Sequence, residues 1–281
     1  MTEPSSMRQD AAPWSFARRF ALAFTFPLVV LANLPSPFYA IGIIRPFLWL
    51  SAFWNALVPL IAWRVLHLKV TVPMPWNDSV DTSFHYVRYL VWIALSFIVA
   101  LGCSVLDRKA SHYETAYRIF YTYLRFALGV SMIKYGAAKV IKNQFPYPSL
   151  DALVEPLGSA SPQGLAYTFM GLSHGLNLFV GIVEMSSGIL LTIRRTTVLG
   201  ALLAAAALAN VMAMNYGYDV PVKTIATQFL LMSGLLLLPH LRRLGNVLVL
   251  NRPAPPIEIR PLFADRRLDR AAIGVRALVV L

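Results

Sequence analysis

Long apolar runs separated by short polar connectors dominate the chain. A helix rises about 1.5 Å per residue, so about 20 apolar residues cross the roughly 30 Å hydrocarbon core of a bilayer. Six runs come close to or exceed this length, and each predicts a membrane-spanning helix: 46–66, 86–106, 119–141, 166–192, 196–214 and 222–239. The pattern therefore predicts an all-α protein, a polytopic transmembrane helical bundle.

Segment 20–44 is also apolar, but proline interrupts it at positions 27, 35 and 37. Because proline breaks or kinks a helix, the segment predicts a re-entrant hairpin or, as the alternative, one more short span. The hairpin is the preferred prediction, since it leaves Arg18, Arg19 and Arg45 on one side of the membrane.

Charge patterning predicts the orientation of the spans. Cations accumulate on the cytoplasmic side of membrane proteins, in short connectors near the ends of the spans. The basic connectors, which would then lie inside, contain Arg108, Lys109, Arg118, Arg194 and Arg195, and the tail adds Arg242, Arg243, Arg252, Arg260, Arg266, Arg267 and Arg270. The cation-poor connectors, predicted to lie outside, are 67–85, 142–165 and 215–221.

Composition narrows the classes of function. The chain has 281 residues, 57% of them hydrophobic and 14% charged, with a net charge of +12. The basic residues are dispersed between apolar runs, so no nucleic-acid partner is predicted. Cys103 is the single cysteine, which excludes a disulfide framework and a thiol relay within this chain. The five histidines lack paired spacing, so no metal site is predicted, and no motif assigns a catalytic residue.

Five segments follow from this pattern. A polar tail (1–16) precedes a group of N-terminal membrane helices (17–110), and a four-helix membrane bundle (118–250) follows. A basic cytoplasmic tail (251–270) leads to an apolar stretch (271–281) that stops in the middle of what resembles a new helix. The last feature predicts that the chain is truncated.

Polar residues within the spans form two helical stripes. Each residue of a helix is rotated by 100° from the one before it, which places one set of residues on a single face of the helix over 119–141. The set is Arg118, Tyr121, Arg125, Met132, Gly136 and Lys139, and Lys134 points to the opposite side. On the helix over 166–192 the corresponding set is His174, Asn177, Gly181, Glu184 and Gly188. Charged residues within a membrane are candidates for function, so the intramembrane candidates are Arg125, Glu184, His174 and Asn177.

Depth predicts a specific ion pair between the two stripes. With helix midpoints near Val130 and Phe179, Arg125 and Glu184 both lie about 7 Å from the midplane. The pair would either fix the register of the helices or form a proton or anion site. The glycines at 171, 175, 181 and 188 have spacings that favour close helix packing.

A second cluster of candidates is predicted near the outer face. Its members, which would lie at similar depth around an outer pocket, are Tyr135, Lys139, Asn210, Asn215, Tyr218, Asp219 and Lys223. Asp219 is placed to cap the helix that Pro221 begins, and capping alone would explain it. The alternative for Lys139 and Lys223 is that they extend to the membrane surface.

The stretch from Arg118 to Pro253 resembles the DoxX-like membrane proteins. The resemblance rests on Arg125, the run Tyr135-Gly136-Ala137-Ala138-Lys139, Glu184 with the turn Arg194-Arg195-Thr196, and the run Tyr218-Asp219-Val220-Pro221-Val222-Lys223. It implies a DoxX-like four-helix core, here preceded by extra N-terminal helices, in the bacterial plasma (inner) membrane. The longer relatives of this kind extend further than residue 281.

The resemblance also implies a function. Some DoxX-like proteins take part in quinone-coupled membrane redox systems, so the chain is expected to be an accessory or quinone-interacting subunit with a redox partner and no covalently bound cofactor. The alternative is a non-enzymatic scaffold or carrier that binds a lipid, a small anion or a partner protein. A third alternative, a membrane enzyme similar to the vitamin K-dependent carboxylases, conflicts with the absence of a large polar segment that could form a soluble lobe.

Overall fold

The computed structural model describes residues 14–34, 45–74, 79–106 and 110–256. Within these ranges all regular structure is helical. The helices are α1 (Phe16–Asn33), α2 (Arg45–Leu66), α3 (Ser83–Leu106), α4 (Ala110–Val140), α5 (Leu150–Val154), α6 (Pro162–Leu172), α7 (His174–Thr192), α8 (Thr197–Gly217), α9 (Lys223–Leu237) and α10 (Leu241–Leu244). Residues 1–13 of the predicted polar tail (1–16), residues 257–270 of the predicted basic tail (251–270) and the predicted truncated helix (271–281) lie outside the described residues.

Six of the described helices are long and apolar enough to cross a membrane: Phe16–Asn33, Phe47–Leu66, Ser83–Leu106, His174–Thr192, Thr197–Gly217 and the continuous stretch Lys223–Val249. The protein is therefore a multi-pass integral membrane protein in contact with the lipid bilayer. The predicted span 119–141 lies within α4 except for its last residue, and the 31 residues of α4 extend about 46 Å but are more polar than those of these six helices.

The first part of the N-terminal apolar segment forms a continuous helix. α1 runs without reversal through Pro27, and its 18 residues extend about 27 Å. No hairpin is formed within 16–33, and the remainder of the predicted hairpin, 35–44, lies outside the described residues. α1 packs along α3, so tertiary contacts support a helix that the prolines alone would have weakened.

Aromatic contacts place Arg18 and Arg19 beside the start of α4, on the side of the bundle that the charge pattern predicted for them. The ring of Trp14 lies 6.0 Å from the ring of Tyr113, at the start of α4, and Arg18 stacks 4.4 Å from the centroid of Trp14. Arg19 lies over Tyr113. The basic start of α1 and the start of α4 therefore share one end of the bundle.

The predicted span 166–192 is wrong in its extent, because the chain breaks at Ser173. α6 ends at Leu172, and Ser173 caps α7 by accepting a hydrogen bond from the backbone N–H of Leu176 at 3.2 Å. Just before the break, Gly171 packs directly against the backbone carbonyl of Pro146. Serine in this position satisfies an orphan donor of the new helix, which stabilises the break.

The antiparallel pair α4 and α7 forms the most extensive helix contact. Two reciprocal glycine pairs bring the backbones together: Gly129 opposes Gly188, and Gly136 opposes Gly181. A methyl group on Gly136 would lie 2.6 Å from the carbonyl oxygen of Gly181. The expected packing role is thus confirmed for Gly181 and Gly188, whereas Gly175 faces open space.

Candidate functional site

A buried ion pair lies between α4 and α7. Lys139 Nζ donates to Glu184 Oε2 at 2.7 Å, and the two side chains are only 5% and 3% exposed. The ammonium group also lies 6.0 Å from the ring centroid of Phe145. Each charge is costly alone in this interior, so the pair couples the two helices electrostatically.

Arg125 binds the end of α7 and does not pair with Glu184. Its Nε donates to the carbonyl oxygen of Leu191 at 3.1 Å, and its Nη2 donates to that of Thr192 at 3.0 Å. These carbonyls belong to the last turn of α7, where the helix leaves acceptors unused and its dipole favours a cation. Arg125 therefore caps the C-terminus of a neighbouring helix.

The predicted pairing of Arg125 with Glu184 is wrong because of helix register. In the antiparallel pair, Gly129 faces Gly188, so the position four residues before Gly129 faces the position four residues after Gly188, which is Thr192. The prediction placed the centre of the second helix at Phe179, whereas the break at Ser173 moves the centre of α7 toward residue 183. That shift separates Arg125 from Glu184 and leaves Lys139 to reach the carboxylate.

Two other intramembrane candidates have contrasting environments. Asn177 is fully buried, and its Nδ2 donates to the carbonyl oxygens of Met170 at 2.9 Å and Phe145 at 3.4 Å. It therefore holds α7 against α6. His174 is the first residue of α7 and is exposed, so it does not lie deep within a span as predicted.

The remaining members of the first stripe are engaged near the basic end. Arg118 Nε donates to Glu114 Oε1 at 3.2 Å on the same helix, in a half-exposed pair. The hydroxyl of Tyr121 contacts the carbonyl oxygen of Leu236 and His240 Nε2, both at 3.3 Å. The stripe thus faces the bundle, as predicted, but its polar groups serve separate contacts.

The seven outer-pocket candidates do not converge on one cavity. Lys139 is buried against Glu184, and Tyr135 packs edge-on against Phe229 with ring centroids 6.0 Å apart. Asn210 and Tyr218 are exposed. Asn215 is buried, and its Nδ2 has no hydrogen-bond partner within the described chain. The candidates thus belong to several different surroundings.

Asp219 does not cap α9. It adopts a left-handed backbone conformation, with φ of 51°, and its exposed carboxylate accepts a hydrogen bond from Lys223 Nζ at 2.5 Å. The capping residue is Asp81, which reaches across from the start of α3. Its Oδ2 accepts from the backbone N–H of Lys223 at 2.6 Å, and its Oδ1 accepts from the N–H and Oγ1 of Thr224 at 3.0 and 2.6 Å.

A groove of about 940 Å³ opens between α1, α3 and α9. Its lining is almost entirely apolar, with Leu28 and Val29 from α1, Ile93 from α3 and many leucines from α9. Polar groups on its wall come mainly from the ends of α3, α8 and α9 near Asp81: Tyr86, Tyr89, Tyr216, Thr224, Thr227 and Gln228. Lys139, Glu184 and Arg125 are not part of this lining.

A hydrogen-bonded pair crosses the polar part of the groove. The hydroxyl of Tyr89, on α3, donates to Gln228 Oε1, on α9, at 2.7 Å. Gln228 Nε2 donates to no acceptor in the part of the chain that the structure describes. The groove therefore combines a long apolar wall with one free amide donor. In the same described ranges, no three His, Cys, Asp or Glu side chains gather into a metal site.

Comparison with known proteins identifies a relative of this chain. A stretch of 115 residues, 40% of the chain, is 33% identical to the uncharacterized protein YwoB of Bacillus subtilis (strain 168) and covers 71% of that protein. The chain belongs to the YwoB family. No family model and no solved structure matches it.

Sequence reasoning missed four residues of interest in this YwoB relative. Asp81 and Gln228 gave no distinctive signal, because their roles depend on which helices become neighbours. Tyr89 was indistinguishable from an ordinary aromatic residue of a span. Arg88 did give a signal, since it is a cation five residues beyond the start of an otherwise apolar helix.

Proposed function

We propose that this protein is a non-enzymatic binding protein or carrier for a lipophilic molecule in the bacterial inner membrane. The observation that carries the proposal is the apolar groove of about 940 Å³, which is open along one side. That volume suits a drug-sized or lipid-sized ligand, whose apolar body would enter from the bilayer. The bacterial source of its relative supports the location.

The polar wall of the groove favours a ligand with an uncharged acceptor group. Gln228 Nε2 offers a hydrogen bond, and the hydroxyl of Tyr89 holds the amide in place. Lys223, which precedes the wall residue Thr224, is already paired with Asp219. Arg88, which precedes the wall residue Tyr89, is not part of the groove lining. A carbonyl or hydroxyl oxygen on an otherwise apolar molecule would complement this arrangement.

The buried charges support a binding role over catalysis. Lys139 pairs with Glu184 within the α4–α7 contact, and Arg125 caps α7. Neither arrangement meets the groove, so these charges hold the bundle together. A ligand in the groove would meet neutral polar groups, which can orient it but are poor proton donors and acceptors at neutral pH.

A quinone is the second candidate, and the Tyr89–Gln228 pair is the observation that favours it. A quinone carbonyl is an acceptor on a lipophilic molecule, so it would satisfy Gln228 Nε2. Under this proposal the protein would be an accessory subunit that holds a quinone without covalent attachment, as the DoxX-like resemblance implies. Electrons would come from a partner subunit.

Filling the groove tests both candidates. Gly234 lies in the groove wall, and a Cβ atom added there would have no neighbouring atom within 4 Å outside the adjacent backbone of its own helix. Gly234→Leu should therefore preserve the fold and lower the amount of co-purifying ligand. Gly102→Leu is the matched control, because Gly102 also faces open space but lies outside the groove lining.

The measurement is mass spectrometry of the organic extract from equal amounts of each purified protein. A lipophilic species that is depleted by Gly234→Leu and retained by Gly102→Leu supports the proposal, and its mass distinguishes a quinone from another lipid. Equal extracts from parent and both variants would contradict it. If the species is a quinone, quinol oxidation with co-purified subunits would test the redox role.

A further inference from the structure

Arg88 is a cation without a protein acceptor on the membrane-spanning helix α3. Its Nε is buried and has no hydrogen-bond partner in the part of the chain that the structure describes. No carboxylate among the described residues forms an ion pair with it. Arg125 and Lys139, by contrast, both donate hydrogen bonds to protein acceptors. A charge in this environment requires compensation from some source.

Aromatic rings hold the Arg88 guanidinium in place. Its Cζ lies 4.8 Å from the ring centroid of Trp92 and 5.5 Å from that of Phe84, one turn away on either side. Trp92 in turn packs edge-on against Trp54 of α2, with ring centroids 5.7 Å apart. Ring faces stabilise a cation but accept none of its in-plane N–H groups, so the guanidinium fork remains available.

The terminal nitrogens of Arg88 are accessible. They donate to no group within the described ranges, and they are not among the buried atoms without partners. The helix positions 84, 88 and 92 recur every four residues and share one face of α3, which differs from the face that carries the groove residues Tyr86, Tyr89 and Ile93. Arg88 therefore lies on a different face of α3 from the groove residues, and Trp92 lies between them, with its ring centroid 5.2 Å from that of Tyr89.

The depth of Arg88 points to the headgroup region. The residue lies five positions after Ser83, about 7.5 Å along the axis of a 24-residue helix. With α3 centred on a hydrocarbon core about 30 Å thick, this position lies within about 5 Å of the headgroup boundary. At that level the abundant anions are lipid phosphates, whose oxygens match the planar fork of arginine.

We infer that Arg88 forms a binding site for the phosphate group of an anionic phospholipid on the α2-facing side of α3. The aromatic pair Phe84 and Trp92 orients the guanidinium, and the phosphate supplies the acceptors and the negative charge that the protein does not. The inference does not depend on the proposed ligand of the groove, because the two sites use different faces of α3.

Lipid retention by the full chain tests the inference. The parent protein, Arg88→Gln and Arg64→Gln are each incorporated into nanodiscs that contain phosphatidylglycerol and phosphatidylcholine, and native mass spectrometry counts the lipids retained. Arg64 is the matched control, because it is an exposed cation at the end of α2. Inorganic phosphate is added in a second arm as a competitor.

The parent and Arg64→Gln should retain phosphatidylglycerol over phosphatidylcholine, and Arg88→Gln should lower that retention about tenfold, as expected for the loss of a charge-assisted hydrogen bond. Competition by inorganic phosphate would assign the site to the phosphate group itself, and no competition would assign it to the whole lipid headgroup. Equal retention by parent and Arg88→Gln, or no preference in the parent, would overturn the inference.

A second variant tests the inference if Arg88→Gln does not fold. Arg88→Lys keeps the charge but loses the planar fork, so it should retain phosphatidylglycerol several-fold less than the parent. Phosphatidylglycerol should also raise the melting temperature of the parent more than that of Arg88→Lys. Identical lipid retention and identical melting shifts for these two proteins would overturn the inference.

Discussion

Lys139 Nζ lies 2.7 Å from Glu184 Oε2, and the two side chains join α4 to α7 in a nearly solvent-free contact. The glycine pairs Gly129–Gly188 and Gly136–Gly181 bring the backbones close enough for the lysine to reach the carboxylate. Close packing and charge pairing therefore depend on the same register of the two helices.

Glu184→Gln is expected to destabilise the bundle strongly. The variant leaves the Lys139 ammonium buried without a counter-charge, and breaking such a pair costs about 3–5 kcal/mol. The free energy of unfolding is measured by titration of the detergent-solubilised protein with a denaturing detergent. The double variant Lys139→Met with Glu184→Gln should recover most of the loss, because it removes the unpaired charge.

A different result would point to chemistry at this pair. If Glu184→Gln folds with unchanged stability but loses an activity of the purified protein, the carboxylate is functional and the packing role is wrong. If the double variant is no more stable than Glu184→Gln, the loss does not come from an unpaired charge.

Arg125→Met is expected to loosen the end of α7. The substitution keeps an unbranched apolar stem but removes the donors to the carbonyls of Leu191 and Thr192, each of which forms a hydrogen bond with a charged group. The free energy of unfolding should fall by about 1.5–3 kcal/mol. Lys134→Met is the control, since Lys134 is exposed on the same helix. Equal stability of these two variants would contradict the capping role.

Gly136→Ala is expected to force α4 and α7 apart. The added methyl group would lie 2.6 Å from the carbonyl oxygen of Gly181 and 2.7 Å from the backbone nitrogen of Met185, so backbone must move. Overpacking of this kind costs about 1–3 kcal/mol. Gly175→Ala adds the same methyl group in open space and should leave the melting temperature nearly unchanged. A Gly136→Ala variant as stable as the parent would rule out this close contact.

Asp81→Asn is expected to weaken the start of α9. An amide retains one acceptor oxygen, loses the other, and removes the charge that complements the helix dipole, so stability should fall by about 0.5–2 kcal/mol. Hydrogen exchange of the backbone amides at 223–227 should become faster. Asp219→Asn is the control, because the exposed Asp219 carboxylate pairs with the Lys223 side chain and surface pairs contribute less than about 1 kcal/mol. Faster exchange with Asp219→Asn than with Asp81→Asn would reverse the assignment.

Local pattern was a reliable guide to individual helices. The predicted spans 46–66, 86–106, 196–214 and 222–239 differ from the observed α2, α3, α8 and α9 by only a few residues at either end. Apolar length controls these elements, because a backbone in lipid must satisfy its hydrogen bonds within the helix. The predicted buried face of α4 was also correct, since it depends only on helical periodicity.

The predictions of helix register and helix capping were wrong where contacts between segments distant in sequence determine them. The register of α4 against α7 depends on the break between α6 and α7 at Ser173. Next to this break, Gly171 packs against Pro146, which is distant in sequence. The cap of α9 comes from Asp81, which is 142 positions from Lys223 in sequence. Asp219 was the better candidate by proximity along the chain, but its carboxylate turns toward the Lys223 side chain instead.

Hydrophobic length and helical periodicity act within one helix, so the order of the amino acids was sufficient to predict an all-helical, multi-pass membrane protein and the buried face of α4. The packing of the helices was needed to show, among the described residues, that Lys139 pairs with Glu184, that Asp81 caps α9, that Arg88 lacks an acceptor and that a groove opens between α1, α3 and α9. Charge pairing and cavity shape depend on the relative register and neighbours of helices, which hydrophobicity constrains only weakly.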